Sequence, residues 1–345
     1  MSNNLQVNLE KMKEIFANAS DVVIRPFQIG SHERVKAFIV YIDGLIDKEV
    51  VQIGLMKPLM IDMRLAITND TFNRNTAFDI IKERVLSISE VKEAHYLQDT
   101  VDAILSGDTA LFLDGSSAAL IASLRGWEAR SITQPDTEVV VRGPREGFTE
   151  TLRTCTAQLR RRIKNPNLKF ETMKIGRQTK TDVVIAYIKG IVDDKIVEEV
   201  KRRLSRIDTD SILESGYIEE YIEDSPLSFL PTVGNSEKPD LVAAKMLEGR
   251  VAILTDGTPF VLTVPYLFIE AFQSTEDYYS RPYYASILRL LRFTALFISE
   301  FAPALYVALT TYHQEMIPPA LLVSMAAAKE GTPFPAFVEA MIMGI

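Results

Sequence analysis

The chain carries one stretch of sequence twice. Residues 22–51 set against residues 168–197 align without a gap at a shift of 146, and eight of the thirty positions are identical. They are Ile29/Ile175, Gly30/Gly176, Ile39/Ile185, Tyr41/Tyr187, Ile42/Ile188, Gly44/Gly190, Asp47/Asp193 and Val51/Val197. Ordinary composition supplies roughly two identities over such a length. The stretch is therefore an internal duplication, and the chain must fold as two similar bodies.

Each copy reads as an extended strand, a turn, and a second strand rich in β-branched residues (37–41 and 183–187), closed at Gly44 and Gly190. A helix is expected next. In the second copy Ile196, Val197, Val200 and Leu204 fall on one helical face; in the first, Met56, Lys57, Pro58 and Leu59 interrupt the pattern. A second correspondence pairs Asp114-Gly115 with Asp256-Gly257, each between two short apolar strands as in a hairpin. Before each lies a helical stretch that ends at Gly107 or Gly249, where a left-handed cap is expected. The fold class is α/β, with α+β left open. Gly30 and Gly176 lie outside any phosphate-loop pattern and read as turn glycines.

A net charge of -8 and a pI near 5.2 argue against a general nucleic-acid binder. Cys155 is the single cysteine and has no partner for an intrachain disulfide, which suits a reducing compartment. The first 21 residues are polar and lack the apolar core of a secretory signal. His32, His95 and His313 are scattered, and no metal-ligand spacing, nucleophile elbow or P-loop is present. Neither an enzyme nor a cofactor is expected, and hairpin chemistry accounts for the two Asp-Gly pairs.

Between the copies runs Arg142, Gly143, Pro144, Arg145, Glu146, Gly147 and Phe148, after an extended segment at 137–141 and before a helical pattern at 152–163. Gly143-Pro144 ends the strand, and Gly147 permits a sharp turn. Thr149 or Glu150 is placed to start the helix, and Arg160, Arg161 and Arg162 suit its negative end. Three readings remain open. Arg142 and Arg145 tie the turn to nearby carboxylates and backbone; the turn and its basic helix contact another subunit or a membrane; or the basic run binds an anion or nucleic acid, against which stands the lack of interleaved aromatic residues.

Residues 293–312 read FTALFISEFAPALYVALTTY, long enough to cross about 30 Å of hydrocarbon. Their one charge is Glu300, which with Pro303 is expected to face protein, water or an ion rather than lipid. Arg281, Arg289 and Arg292 precede this segment and place the amino-terminal region on the cytoplasmic side. Tyr278, Tyr279, Tyr283 and Tyr284 suit either an interfacial belt or a core. Residues 317–345 form a broken apolar segment, interrupted at 329–335. The expected organisation is a first α/β subdomain at 1–140, a junction at 141–166, a second subdomain at 167–280 and the start of a membrane domain at 281–345.

The motif VVVRGPREGFTETLRT, the run IAYIKGIVDDKIVEEVKRRL, and the stretch from GRVAILTDGTPF to MIPPALLVSMAA resemble the A subunits of spore nutrient-germinant receptors, the GerA family. The resemblance covers most of the chain in the correct order. Cys155 departs from it, standing where asparagine is usual. The resemblance implies a subunit of the spore inner membrane with its amino-terminal region facing the core. It implies B and C partner subunits, a nutrient germinant bound mainly by a partner, and homo-oligomerisation into a pore for monovalent cations. The chain stops where members of the family continue through further membrane helices, so a fragment or a truncated product is expected. The alternatives are an accessory protein of the germination machinery, such as a SpoVAF-type relative, and a soluble module that binds a small molecule.

Overall fold

The computed structural model describes residues 1–30, 35–62, 77–82, 91–126, 138, 142–225, 228, 230–274, 276–329, 334 and 336–343. His32, most of the extended segment expected at 137–141, and most of the break expected at 329–335 lie outside them. The chain divides into two compact units, Met1–Val140 with Pro144–Leu267, and Val141–Gly143 with Phe268–Ile345.

In the first unit the duplication is visible as two sheets. Helix α1 (Leu5–Ile15) leads into β1 (Val22–Ile29) and β2 (Val35–Ile42), followed by a short helix α2 (Lys48–Val51). Then come β3 (Val91–Ala94), α3 (Leu97–Leu105), β4 (Thr109–Leu113) and β5 (Ala119–Ala122). The second copy repeats the series with α4 (Leu152–Arg162), β6 (Leu168–Ile175), β7 (Thr181–Ile188), α5 (Asp194–Ser205) and α6 (Ser215–Ile222). It closes with β8 (Gly234–Ser236), α7 (Pro239–Leu247), β9 (Val251–Thr255) and β10 (Val261–Val264). The strand orders are β1-β2-β4-β5-β3 and β6-β7-β9-β10-β8, the same permutation twice, with every pairing antiparallel. The architecture is the mixed α/β class expected, with the sheets wholly antiparallel.

Helices cover both faces of each sheet, which explains why the central strands β4 and β9 are buried at every position. On the first sheet, Met12 and Phe16 from the α1 side and Val101 and Ile104 of α3 pack over Phe38, Val40 and Phe112. The opposite face carries Leu55 and Leu59 over Ile39 and Leu111. On the second sheet, Cys155 and Leu159 of α4 and Val242 and Met246 of α7 cover one face, while Val197, Val200 and Ile218 cover the other. Two-sided burial substitutes for the alternation expected of a half-solvated antiparallel sheet.

Several of the duplicated residues have the same task in both copies. Asp47 and Asp193 are helix N-caps: Asp47 accepts from the Glu49 and Val50 amides at 2.9 and 3.1 Å, and Asp193 from the Lys195 amide at 3.0 Å. Gly30 and Gly176 take φ of 92° and 94°, which only glycine adopts without strain. The copies differ after the second strand, where α5 is regular and α2 is succeeded by wide π-type turns at Gln52–Met56 and Pro58–Asp62. Pro58 has no amide hydrogen and clashes with the preceding turn, so a regular helix does not continue through it.

In the second unit an apolar helix α8 (Pro282–Val307) is prolonged by a π-type turn to Tyr312. It begins eleven residues before the span expected from hydropathy. At 31 residues it is about 46 Å long, ample for a bilayer core. The shorter helices α9 (Pro319–Lys329) and α10 (Ala336–Met343) follow.

Candidate functional site

The junction motif is organised around α4, which serves both sheets. Its Cys155 and Leu159, one turn apart, enter the core of the second sheet, while Ala157 joins the core of the first. The Gly44 turn lies against this second face so closely that a Cβ on Gly44 would stand 3.1 Å from Ala157 Cβ and 3.3 Å from the Arg153 carbonyl.

Arg160 completes the join. Its side chain is wholly buried and donates two hydrogen bonds to Asp21, at 2.9 and 2.8 Å, across 139 residues of sequence. Its remaining nitrogen donates to the carbonyls of Asn165 and Leu168, and its guanidinium lies 4.9 Å from the centre of the Phe170 ring. Burial of such a pair is favourable only when its charges are paired and hydrogen-bonded, and here each of the three guanidinium nitrogens has a partner. Beside it the segment before β1 pads the outer edge of β6. The Ser20 amide donates to the Phe170 carbonyl, the Phe170 amide to the Asn18 carbonyl, and the Ser20 and Thr172 hydroxyls meet at 2.9 Å.

The other basic residues of α4 turn back onto the motif: Arg161 and Arg162 donate to the two oxygens of Glu146 at 3.2 and 2.7 Å. Phe148 is buried and its amide donates to the Glu237 carbonyl, while the Gln158 amide holds the Gly147 carbonyl at 2.8 Å. Arg142, Gly143 and Arg145 are exposed, with Pro144 half-buried. Neither Arg142 nor Arg145 makes a side-chain hydrogen bond or ion pair with any described residue, so the ties expected of them are made by Arg160, Arg161, Arg162 and Glu146 instead.

A second correction concerns the start of α4. Neither Thr149 nor Glu150 caps it with a side chain; the Leu152 amide donates to Asp256, in the Asp-Gly turn of the second hairpin, at 3.2 Å. In the first copy Asn4 caps α1 itself, accepting from the Gln6 amide at 2.9 Å, and the Leu5 amide adds a bond to Asp114 at 3.4 Å. The paired glycine amides, Gly115 and Gly257, donate to the carbonyls of Asn3 and Glu150. The two aspartates thus fasten the first turn of a helix to a distant hairpin.

Cys155 is buried, and its thiol donates to the Thr149 carbonyl at 2.9 Å. Burial pushes its pKa up to about 11 against the hydrogen bonds from Thr149. At pH 8 about one thiol in a thousand is ionised, so alkylation of the native chain by iodoacetamide is expected to run about two orders of magnitude slower than that of a free cysteine. Mass spectrometry of timed quenches checks this, with urea-unfolded chain as the reference.

In the second unit, Asp277 anchors the first half of α8. Its buried carboxylate accepts from Arg292 at 2.7 and 2.9 Å and from Arg289 at 3.1 Å, and Arg292 also donates to the Phe272 carbonyl. Arg292 and Arg289 hold the Asp277 carboxyl below its ordinary value against the cost of burial. These arginines therefore secure the segment before the apolar stretch as well as marking its charged flank. Tyr278, Tyr283 and Tyr284 are exposed, and Tyr279 is half-buried. Glu300 is exposed on α8 without a side-chain partner among the described residues, and Pro303 lies within the helix without ending it.

The family model described as Bacillus/Clostridium GerA spore germination protein matches residues 10–345. Spore germination protein KA of Bacillus subtilis (strain 168) is 47% identical over the whole chain, which covers 62% of that protein. The membrane protein YfkQ of the same organism is 44% identical over the whole chain, which covers 65% of it. The chain thus spans less than two thirds of the length of these relatives. Among solved structures, the N-terminal domain of the A subunit of the Bacillus megaterium spore germinant receptor GerK3 is 41% identical. It superposes with a TM-score of 0.61, covering 78% of this chain and 97% of that domain.

Proposed function

Because the chain belongs to the GerA spore germination protein family, we propose that it acts in nutrient-triggered germination as the A subunit of a spore germinant receptor. The observation that carries this reading is the match of the family model over residues 10–345, across both copies, the junction and the apolar helix. In this reading residues 1–140 and 167–280 are the two subdomains, 141–166 joins them, and the membrane domain starts at 281. Helix α8 enters the spore inner membrane, and the two-sheet unit stays on the core side. Its task is to assemble subunits and couple signal to gate in a pore for monovalent cations, in company with B and C subunits. The germinant is bound mainly by a partner subunit.

Within this assignment the residues of the junction divide. Gly147, Phe148, Glu146 and the three arginines of α4 hold the unit together, whereas the exposed Arg142 and Arg145 are free to meet another subunit or the membrane surface. Glu300, exposed on an apolar helix, faces protein, water or an ion in the assembled receptor, since a carboxylate facing lipid is costly.

A chimera tests the assignment. Bacillus subtilis spores in which residues 1–345 replace the matching part of spore germination protein KA should germinate on nutrient within a few-fold of the parent rate. Spores that accumulate the chimera in their membrane and fail to germinate would overturn the assignment. Potassium flux through liposomes holding the chimera and its partner subunits tests the pore separately.

A further inference from the structure

The duplicated corners between α1 or α4 and the following strands differ in charge. In the first copy the corner carries Asp21 and Asp43; the positions 146 residues on are Asn167 and Lys189. The two aspartates are answered by the chain itself, Asp21 by Arg160, and Asp43 by Lys48 at 2.9 Å and Arg153 at 3.4 Å. The inverted corner has no such answer. It lines a cleft of about 490 Å³ with Lys11, Lys169 and Lys189, the amides Asn18 and Asn167, and a single acid, Glu14.

Lys169 forms its most enclosed part. The residue is 4% exposed, and its ammonium donates to a neutral group, the Ile15 carbonyl, at 2.9 Å. Burial lowers its pKa, and the neighbouring Arg160 and Lys189 lower it further against the pull of Asp21. Lys11 and Lys189 are exposed beside it and make no ion pair with a described residue. Three ammonium groups and one carboxylate lining a cleft wide enough for a small molecule leave a net positive site, where the Asn167 amide offers a further polar group.

We propose that this cleft binds a small multivalent anion, a di- or tricarboxylate or a phosphate monoester, with Lys169 on its inner wall and Lys11 and Lys189 at its mouth. The anion completes in the second copy the charge pairing that Asp21 and Asp43 obtain from protein in the first. It also links α1 of the first copy to the β6 and β7 ends of the second, so its binding tightens the join between them.

The test uses the full chain in detergent at constant ionic strength, titrated with inorganic phosphate and with citrate and followed by calorimetry and melting temperature. Saturable binding with a rise in melting temperature is expected, weakened about tenfold for each lysine removed in Lys11→Gln and Lys189→Gln. Both side chains are exposed, so the variants are expected to keep the parent circular dichroism spectrum; Lys11→Met and Lys189→Met serve if either does not. Absence of saturable binding of either anion, or binding unchanged in the variants, overturns the proposal. Vesicles of neutral lipid with and without one fifth phosphatidylserine separate the source of the anion. Lysine-dependent binding to the anionic vesicles alone overturns a soluble ligand and assigns the cleft to a lipid headgroup.

Discussion

Replacing Arg160 with alanine is expected to destabilise the two-sheet unit by about 3–5 kcal/mol, the cost of leaving a buried carboxylate without its counter-charge. Asp21 is 1% exposed, so its carboxylate depends on Arg160 rather than on solvent for its counter-charge. Urea titration of the full chain in detergent, followed by tryptophan-independent circular dichroism, reads the loss. The double variant Asp21→Ala/Arg160→Ala should be more stable than the sum of the single losses predicts, because each single change strands a charge and the double change strands neither. Arg160→Lys should recover little, since an ammonium cannot hold both Asp21 oxygens and two carbonyls in the planar arrangement of a guanidinium. Equal stability of wild type and Arg160→Ala would refute the role given to the pair.

The second large effect compares two glycines that the duplication made equivalent. Gly44 and Gly190 share a left-handed backbone, φ of 92° and 87°, so alanine at either position costs about 1–2 kcal/mol from conformation alone. They differ in surroundings. A Cβ at Gly190 meets nothing within 4 Å, whereas at Gly44 it presses on Ala157 and on the Arg153 backbone. Gly44→Ala is therefore expected to cost about 1–3 kcal/mol more than Gly190→Ala, through displacement of α4. The same denaturation measurement decides it, and equal losses would show that α4 yields without cost.

What the sequence disclosed was local or repeated. Residues 22–51 and 168–197 revealed the two copies because a constant shift survives divergence. Asp114-Gly115 and Asp256-Gly257 marked hairpins because their chemistry lies in adjacent residues. The helix at 152–163 was legible from its spacing, and α4 spans Leu152–Arg162. The partners of its polar residues were not. Asp21 stands 139 positions from Arg160, and nothing in the local pattern distinguishes it from an ordinary surface aspartate. Asp256 as the cap of α4 was hidden for the same reason, although the repeated Asp-Gly beside a repeated helix start was a signal available in the alignment. In α8, hydropathy located the apolar part and missed the first turns, because Tyr283, Arg289 and Arg292 lower the apolar score of residues that are nonetheless helical. Asp277, which holds those arginines, gives no pattern by itself. Arg142 and Arg145 drew attention as charges in a turn-forming motif, yet the buried ties of that motif belong to Glu146, Phe148 and Arg160.

The padding of the β6 edge by the segment before β1 bears on how a duplicated fold comes to an end. Such a join could in principle be made again, the second copy offering its own leading segment to the β1 edge of another chain, and so on without limit. The residues that would have to do so have changed. Pro166 occupies the place of Ser20 and brings no amide hydrogen, and Pro26 occupies the place of Thr172 and brings no hydroxyl. Repetition of the contact is thereby disfavoured. Two prolines thus remove two of the groups by which the same contact could pass from one molecule to the next.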